Sequence, residues 1–165
     1  MIEAIGVRNF QGFAGGQEIR TAPITLVFGP NASGKTSILR ALKLFRQSMS
    51  RGVEHSSRGF TYDGDLINLV SFTNTVFGQG TYQEDGAISE LAVGLTFKLG
   101  ELTDLAGLDS VNVALFDLRP DEVDGDAAIK SALRISVALQ TGMTFGLTIF
   151  EDLVDFGPTP ENVYK

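Results

Sequence analysis

The sequence predicts an α/β protein of the mixed α+β type, in which one strand–loop–helix unit is combined with a substantial antiparallel sheet. An apolar stretch at residues 24–28 leads into a glycine-rich loop, and a helical pattern follows over residues 36–49. Farther along, four segments alternate apolar and polar residues with no long helical pattern between them, which is typical of antiparallel strands. We therefore expect one domain over residues 1–165 and not a regular alternation of strands and helices.

Residues 1–50 are expected to hold a β-hairpin, the loop and the helix. Ile5 and Val7 share one face of a first strand that ends near Phe10, glycines mark the turn, and residues 17–21 return as a second strand. The near-continuous apolar run at residues 24–28 predicts a strand buried on both faces, placed directly before the loop.

The helix is expected to bury one apolar stripe against the rest of the domain. The stripe consists of Ile38, Leu39, Leu42 and Phe45. The pattern then collapses into Ser, Arg and Gly up to about Tyr62, which predicts an exposed loop. We expect residues 51–85 to be a loop-rich connection and residues 86–165 to be an antiparallel meander, with a hairpin tip at Thr141 and Gly142.

Composition excludes several kinds of site. The chain of 165 residues has no cysteine and a single histidine, so it has neither disulfides nor a thiolate or histidine-rich metal centre. No apolar run reaches the length of a membrane span, and the first residues lack the pattern of a signal peptide. A cytoplasmic protein without a membrane partner is expected.

Charge is distributed unevenly along the chain, whose formal net charge is −7. Residues 35–58 carry six Lys or Arg side chains and one acidic side chain, whereas acids gather at residues 101–126. The basic stretch is interpreted as a solvated helix face, with a nucleotide or nucleic-acid surface as the alternative. Because the chain is acidic overall and the one aromatic residue of this stretch, Phe45, belongs to the apolar stripe, the pattern gives little support for direct DNA binding.

Residues 29–36 read GPNASGKT and satisfy G-x-x-x-x-G-K-[ST] without a mismatch. Glycines let the backbone wrap around phosphate oxygens, and the N-terminus of the following helix presents N–H groups to them. The Lys35 ammonium would reach the β- and γ-phosphates, and the Thr36 hydroxyl would hold Mg²⁺. The sequence therefore predicts a nucleoside triphosphate site. Its candidate residues are Gly29, Asn31, Ala32, Ser33, Gly34, Lys35, Thr36 and Ser37.

Two stretches, IEAIGVRNFQGF at residues 2–13 and FGPNASGKTSILRAL at residues 28–42, resemble the amino-terminal part of an ABC-type, AAA-like ATPase head of the SMC/RecF/OLD group. Members of that group act in DNA repair, chromosome maintenance and anti-phage defence. The resemblance implies a P-loop NTPase lobe that binds ATP and Mg²⁺. It also implies that Asn31 reaches the γ-phosphate and that Arg8 and Asn9 lie near the nucleotide.

The motifs with which this family hydrolyses ATP are not clearly present in the rest of the sequence. A glutamine that contacts Mg²⁺ and the attacking water is implied after the helix, and Gln79 and Gln83 are present, although each fits a loop residue better. No LSGGQ-like signature or switch histidine is found. The run VALFD ends at Asp117, but leucine follows it where the Walker B motif has its catalytic glutamate. Glu151 and Asp152 stand in reversed order.

Because both acidic segments alternate with period two, their acids are interpreted as strand-end surface residues. Without a Walker B pair the chain lacks a second Mg²⁺ ligand and a general base, so we expect it to bind ATP and to hydrolyse it poorly alone. It would then be a partial ATPase head, whose partner is a second head or a missing carboxy-terminal lobe. Nucleic acid would be contacted only through the full assembly.

Two other functions stay open at this stage. One is a stand-alone small-molecule P-loop kinase, which the length allows. Such kinases, however, place the loop almost at the N-terminus and follow it with arginine-bearing lid helices. The other is a non-enzymatic assembly module with a vestigial loop, against which the intact Gly34, Lys35 and Thr36 argue. Whether the chain is an enzyme is therefore left undecided.

Overall fold

A computed structural model describes residues 1–50, 59–80, 89–99, 107–119, 130–139, 143–150 and 154–158. In this part of the chain there are seven strands, two α-helices and one short 3₁₀ helix. The strands are β1 (Ile2–Phe10), β2 (Phe13–Arg20), β3 (Ser89–Lys98), β4 (Leu108–Arg119), β5 (Lys130–Leu139), β6 (Thr144–Phe150) and β7 (Val154–Pro158). The helices are α1 (Lys35–Ser50), α2 (Phe72–Thr75) and the 3₁₀ helix Phe77–Gly80.

All seven strands belong to one antiparallel sheet in the order β2-β1-β3-β4-β5-β6-β7. The amino-terminal hairpin and the later strands are joined because β1 pairs with β2 on one side and with β3 on the other. Val7 lies opposite Val93, Val93 opposite Leu115, and Leu115 opposite Leu133, so one apolar row crosses four strands. The predicted antiparallel strands are present. The predicted hairpin tip at residues 141–142 lies outside the described residues.

Helix α1 covers the apolar face of β1 and β3, and its bounds match the predicted helix within one residue. Leu44 and Ala41 are fully buried there. The predicted stripe is wrong at Leu39, which is 61% exposed. Successive residues of an α-helix are about 100° apart, so Leu39 lies on the side of the helix opposite Ala41. In the described residues no helix is long and apolar enough to cross a membrane.

The connection after α1 packs into the core instead of lying exposed. Phe60, Leu69, Phe72 and Val76 are all buried and contact the same cluster as Leu44. The expectation of an exposed loop up to about residue 62 is therefore wrong from residue 59 onward, because widely spaced aromatic and aliphatic side chains anchor an otherwise irregular chain. Residues 51–58 lie outside the described part.

The expected strand at residues 24–28 is absent. These residues have no strand conformation, and Ile24, Leu26 and Phe28 are 82%, 72% and 85% exposed. A strand in the middle of a sheet is buried on both faces, and the strands beside it take its backbone hydrogen bonds. In the described sheet β2 and β7 are the edge strands, and neither pairs with residues 24–28. The sequence pattern is that of a buried strand, but in the described residues no strand pairs with this segment.

Candidate phosphate-binding site

The loop of residues 29–36 has the backbone of a phosphate cradle. Gly34 has φ +85°, a left-handed conformation that favours glycine. A Cβ on Gly29 would lie 2.8 Å from the Ser33 Oγ, so a side chain at this position would displace the Ser33 hydroxyl. Ala32 takes φ +64°, a left-handed conformation that costs a residue other than glycine about 1–2 kcal/mol.

Free backbone donors gather where the loop meets α1. The N–H groups of Ser37 and Ile38 both donate to the Gly34 carbonyl, at 3.0 and 3.3 Å, and start the helix. Among the described residues no acceptor takes the N–H groups of Gly34, Lys35 or Thr36. Three adjacent donors at the positive end of a helix of 16 residues suit a phosphate group.

The side chains of the motif complete the donor set. Lys35 Nζ donates to the Gly29 carbonyl at 2.8 Å and to the Pro30 carbonyl, so its ammonium lies across the loop. Thr36 is exposed, as are Asn31 and Ser33, whereas Ser37 is buried beneath the loop. A glycine cradle with free N–H groups, an ammonium and a hydroxyl fits a polyphosphate chain with its Mg²⁺.

Arg8 and Asn9, predicted near the nucleotide, make their contacts within the sheet. Arg8 pairs with the Glu90 carboxylate at 3.3 Å. The Asn9 side chain donates to the Glu90 carbonyl at 2.8 Å and accepts the Gly15 N–H at 2.9 Å, with Asn9 itself at φ +50°. Both residues therefore fix the end of β1 against β3 and the hairpin. Their role toward a nucleotide stays a prediction.

The tip of the β1–β2 hairpin lies against the loop, which the sequence did not indicate. A Cβ on Gly12 would lie 3.4 Å from the Gly34 Cα and 3.8 Å from the Ser37 Oγ. The Phe13 ring faces Gly34 from the same side. A glycine and an aromatic residue in a hairpin turn carry no local signal of this contact, because only the packing of the hairpin on α1 creates it.

The two glutamines considered as ligands of Mg²⁺ fall in different parts of the chain. Gln79 lies in the 3₁₀ helix Phe77–Gly80, just after Val76, whose backbone bridges to Phe10 at the end of β1. This places it on the segment that meets the hairpin beside the loop. Gln83 lies outside the described residues, as do Glu151 and Asp152.

Asp117 is not a surface residue, so that expectation is wrong. It is 2% exposed on β4, where it accepts the Tyr62 hydroxyl at 2.6 Å and the Phe60 N–H at 3.3 Å. It lies on the same face as Leu115 because the two are two residues apart on one strand. The alternation of apolar residues along β4, with Val113 and Leu115 on one face, already placed Asp117 on that face. Asp117 anchors the segment after α1 to the sheet.

The Tyr62–Asp117 contact predicts a dependence of stability on alkaline pH. Burial above all, and then the negative charge of Asp117 and the hydrogen bond to it, raise the pKa of the Tyr62 hydroxyl above its usual value. The unfolded chain then loses this proton near pH 10 while the folded chain keeps it. The free energy of unfolding therefore falls above that pH, by up to about 1.4 kcal/mol per unit.

The measurement is urea unfolding of the wild type and Tyr62→Phe at about pH 8 and about pH 11. We expect the wild type to be the more stable protein at the lower pH and its advantage to shrink at the higher one. Tyr62→Phe keeps every other ionisable side chain of the protein, so the comparison isolates the Tyr62 hydroxyl. A difference that stays constant between the two conditions would contradict the assignment.

Comparison with known proteins identifies one family. A family model described as AAA ATPase domain matches residues 1–104, which include β1, β2, the loop, α1 and β3. No curated protein and no solved structure matches the chain.

Proposed function

Because the chain belongs to the AAA ATPase domain family, we propose that residues 29–36 bind ATP with Mg²⁺. The observation that carries the proposal is the set of free N–H groups of Gly34, Lys35 and Thr36 at the start of α1. The Lys35 ammonium would contact the β- and γ-phosphates, and the Thr36 hydroxyl would be the protein's ligand to the metal ion. Bound Mg²⁺ would neutralise phosphate charge.

We further propose that the chain is the amino-terminal lobe of a head of the SMC/RecF/OLD type and turns ATP over poorly alone. Asp117 follows four hydrophobic residues as a Walker B acid does, yet its carboxylate is buried and bonded to Tyr62 and Phe60. Leucine stands next to it in place of a catalytic glutamate. These contacts support a structural role for Asp117 and leave hydrolysis to groups outside the described residues.

Titration of the purified full chain with a fluorescent ATP analogue, with and without Mg²⁺, tests the binding proposal. We expect saturable, Mg²⁺-strengthened binding that unlabelled ATP displaces and that depends on Lys35. Binding that is unchanged in Lys35→Ala would support the alternative of an assembly module with a vestigial loop. The wild type should release phosphate from ATP no faster than Lys35→Ala does.

The exposed segment before the loop supports the proposal of a partner. Ile24, Leu26, Val27 and Phe28 expose large apolar side chains, and in the described residues no acceptor takes their N–H groups. A strand from a carboxy-terminal lobe or a second head would pair with this backbone and cover these side chains. Nucleic acid would be bound by that assembly, not by this chain alone.

Hydrogen exchange measures whether this segment is unpaired. We expect amides of residues 24–28 to exchange rapidly in the isolated chain, while those of β1, which is paired on both sides, exchange slowly. Mass spectrometry of overlapping peptides gives both rates in one sample. Protection of residues 24–28 equal to that of β1 would mean that the chain pairs this segment by itself.

A further inference from the structure

The β1–β2 hairpin lies against the phosphate-binding loop at Gly34. Atoms of the Phe13 ring lie 3.2–3.6 Å from the position that a Cβ on Gly34 would take. Gly34 has φ +85° and supplies the first of the three free N–H groups. Since glycine populates positive and negative φ about equally, Gly34 by itself would not hold this conformation.

The hairpin tip is fixed from the side away from the loop. The Gln11 N–H donates to the Thr75 carbonyl at 2.8 Å, and Phe10 forms a backbone bridge with Val76. Phe10 and Thr75 are both fully buried. The tip therefore belongs to the packed core, and the Phe13 ring is a firm surface against which the loop rests.

We infer that Phe13 is a positioning residue for the phosphate-binding loop. Its ring packs against Gly34 and would hinder rotation of the backbone there, which would hold the free N–H groups of Gly34, Lys35 and Thr36 in one arrangement. A cradle that is already in its binding conformation does not have to be ordered when the ligand arrives, which strengthens binding. The inference rests on the proposed function. It predicts that loss of the Phe13 ring weakens binding of the phosphate chain and leaves binding of the base unchanged.

The test compares Phe13→Ala with the wild type for two probes, Mg²⁺–ATP and Mg²⁺–tripolyphosphate. We expect both affinities to fall by about tenfold, because the lost order concerns the phosphates that the probes share. Ile19→Ala is the matched control. Ile19 is a partly buried residue of the same strand β2 that packs on the core, so its truncation lowers stability without touching Gly34. It should retain wild-type affinity for both probes.

Circular dichroism and unfolding midpoints without ligand show that both variants are folded at the temperature of the titration. Phe13→Leu, which retains most of the apolar bulk, should recover most of the affinity. If Phe13→Ala weakens binding of Mg²⁺–ATP but not of Mg²⁺–tripolyphosphate, Phe13 contacts the nucleoside, and the inference is overturned. Equal affinity of Phe13→Ala and wild type would overturn it while leaving ATP binding intact. Failure of the wild type to bind either probe would overturn the proposed function as well.

Discussion

Replacing Lys35 with alanine is expected to weaken Mg²⁺–ATP binding by about a hundredfold or more, the usual effect of removing one partner of a desolvated charge pair. Lys35 Nζ already lies across the loop, bonded to the carbonyls of Gly29 and Pro30. Phosphate oxygens would replace these neutral acceptors with charged ones, and such bonds are about twice as strong. The alanine variant keeps the free N–H groups but loses the only cation of the motif.

Lys43→Ala is the matched control for this change. Lys43 lies two turns farther along α1 and is exposed, and its side chain has no hydrogen-bond or ion-pair partner among the described residues. Both variants remove one positive charge from the same helix, so a difference between them isolates the position of the ammonium. Fluorescence anisotropy with the labelled nucleotide measures both affinities. Equal affinity of Lys35→Ala and Lys43→Ala would refute a specific role for Lys35.

The phosphate-binding loop could be predicted from sequence because its chemistry is local. The motif fixes which residues turn sharply and which helix begins at Lys35, and both are found in the structure. The conformation of residues 24–28, where a strand was expected and none is found, could not be predicted in the same way. The apolar side chains show what the segment would bury, but pairing depends on another strand, and in the described residues none pairs with it.

Contacts between distant parts of the chain account for what the sequence analysis missed. Asp117 and Tyr62 are 55 residues apart, and the contact of Phe13 with Gly34 requires a folded hairpin. Neither pairing leaves a local pattern. Asp117 differs in one respect, because its place on the apolar face of β4 was readable from the alternation. The surface position predicted for Asp117 is wrong because a carboxylate on such a face can be buried where donors such as the Tyr62 hydroxyl and the Phe60 N–H satisfy it.

Gln47→Ala is expected to lower the free energy of unfolding by about 2–4 kcal/mol, because it removes four hydrogen bonds to partly buried backbone groups. Gln47 is 7% exposed and uses its whole amide group. Its Oε1 accepts the N–H groups of Leu66 and Ile67 at 2.9 and 3.0 Å. Its Nε2 donates to the carbonyls of Thr61 and Ile67 at 2.8 and 2.9 Å.

The same side chain explains why residue 64 is a glycine. A Cβ there would lie 2.5 Å from the Gln47 Cδ, so the chain can pass around the amide only without a side chain at this point. The Gln47 amide thus supplies the irregular segment after α1 with hydrogen bonds that a neighbouring strand would supply in a sheet.

Urea unfolding of Gln47→Ala beside Arg46→Ala measures this contribution. Arg46 is the preceding residue of α1, is exposed, and should change stability by less than about 0.5 kcal/mol. Gln47→Glu keeps the shape and the two accepted bonds but turns a carboxylate oxygen toward the Thr61 and Ile67 carbonyls, so it too should be strongly destabilising. A loss below about 1 kcal/mol in both Gln47 variants would show that the segment is held by its buried aromatic side chains and not by this amide.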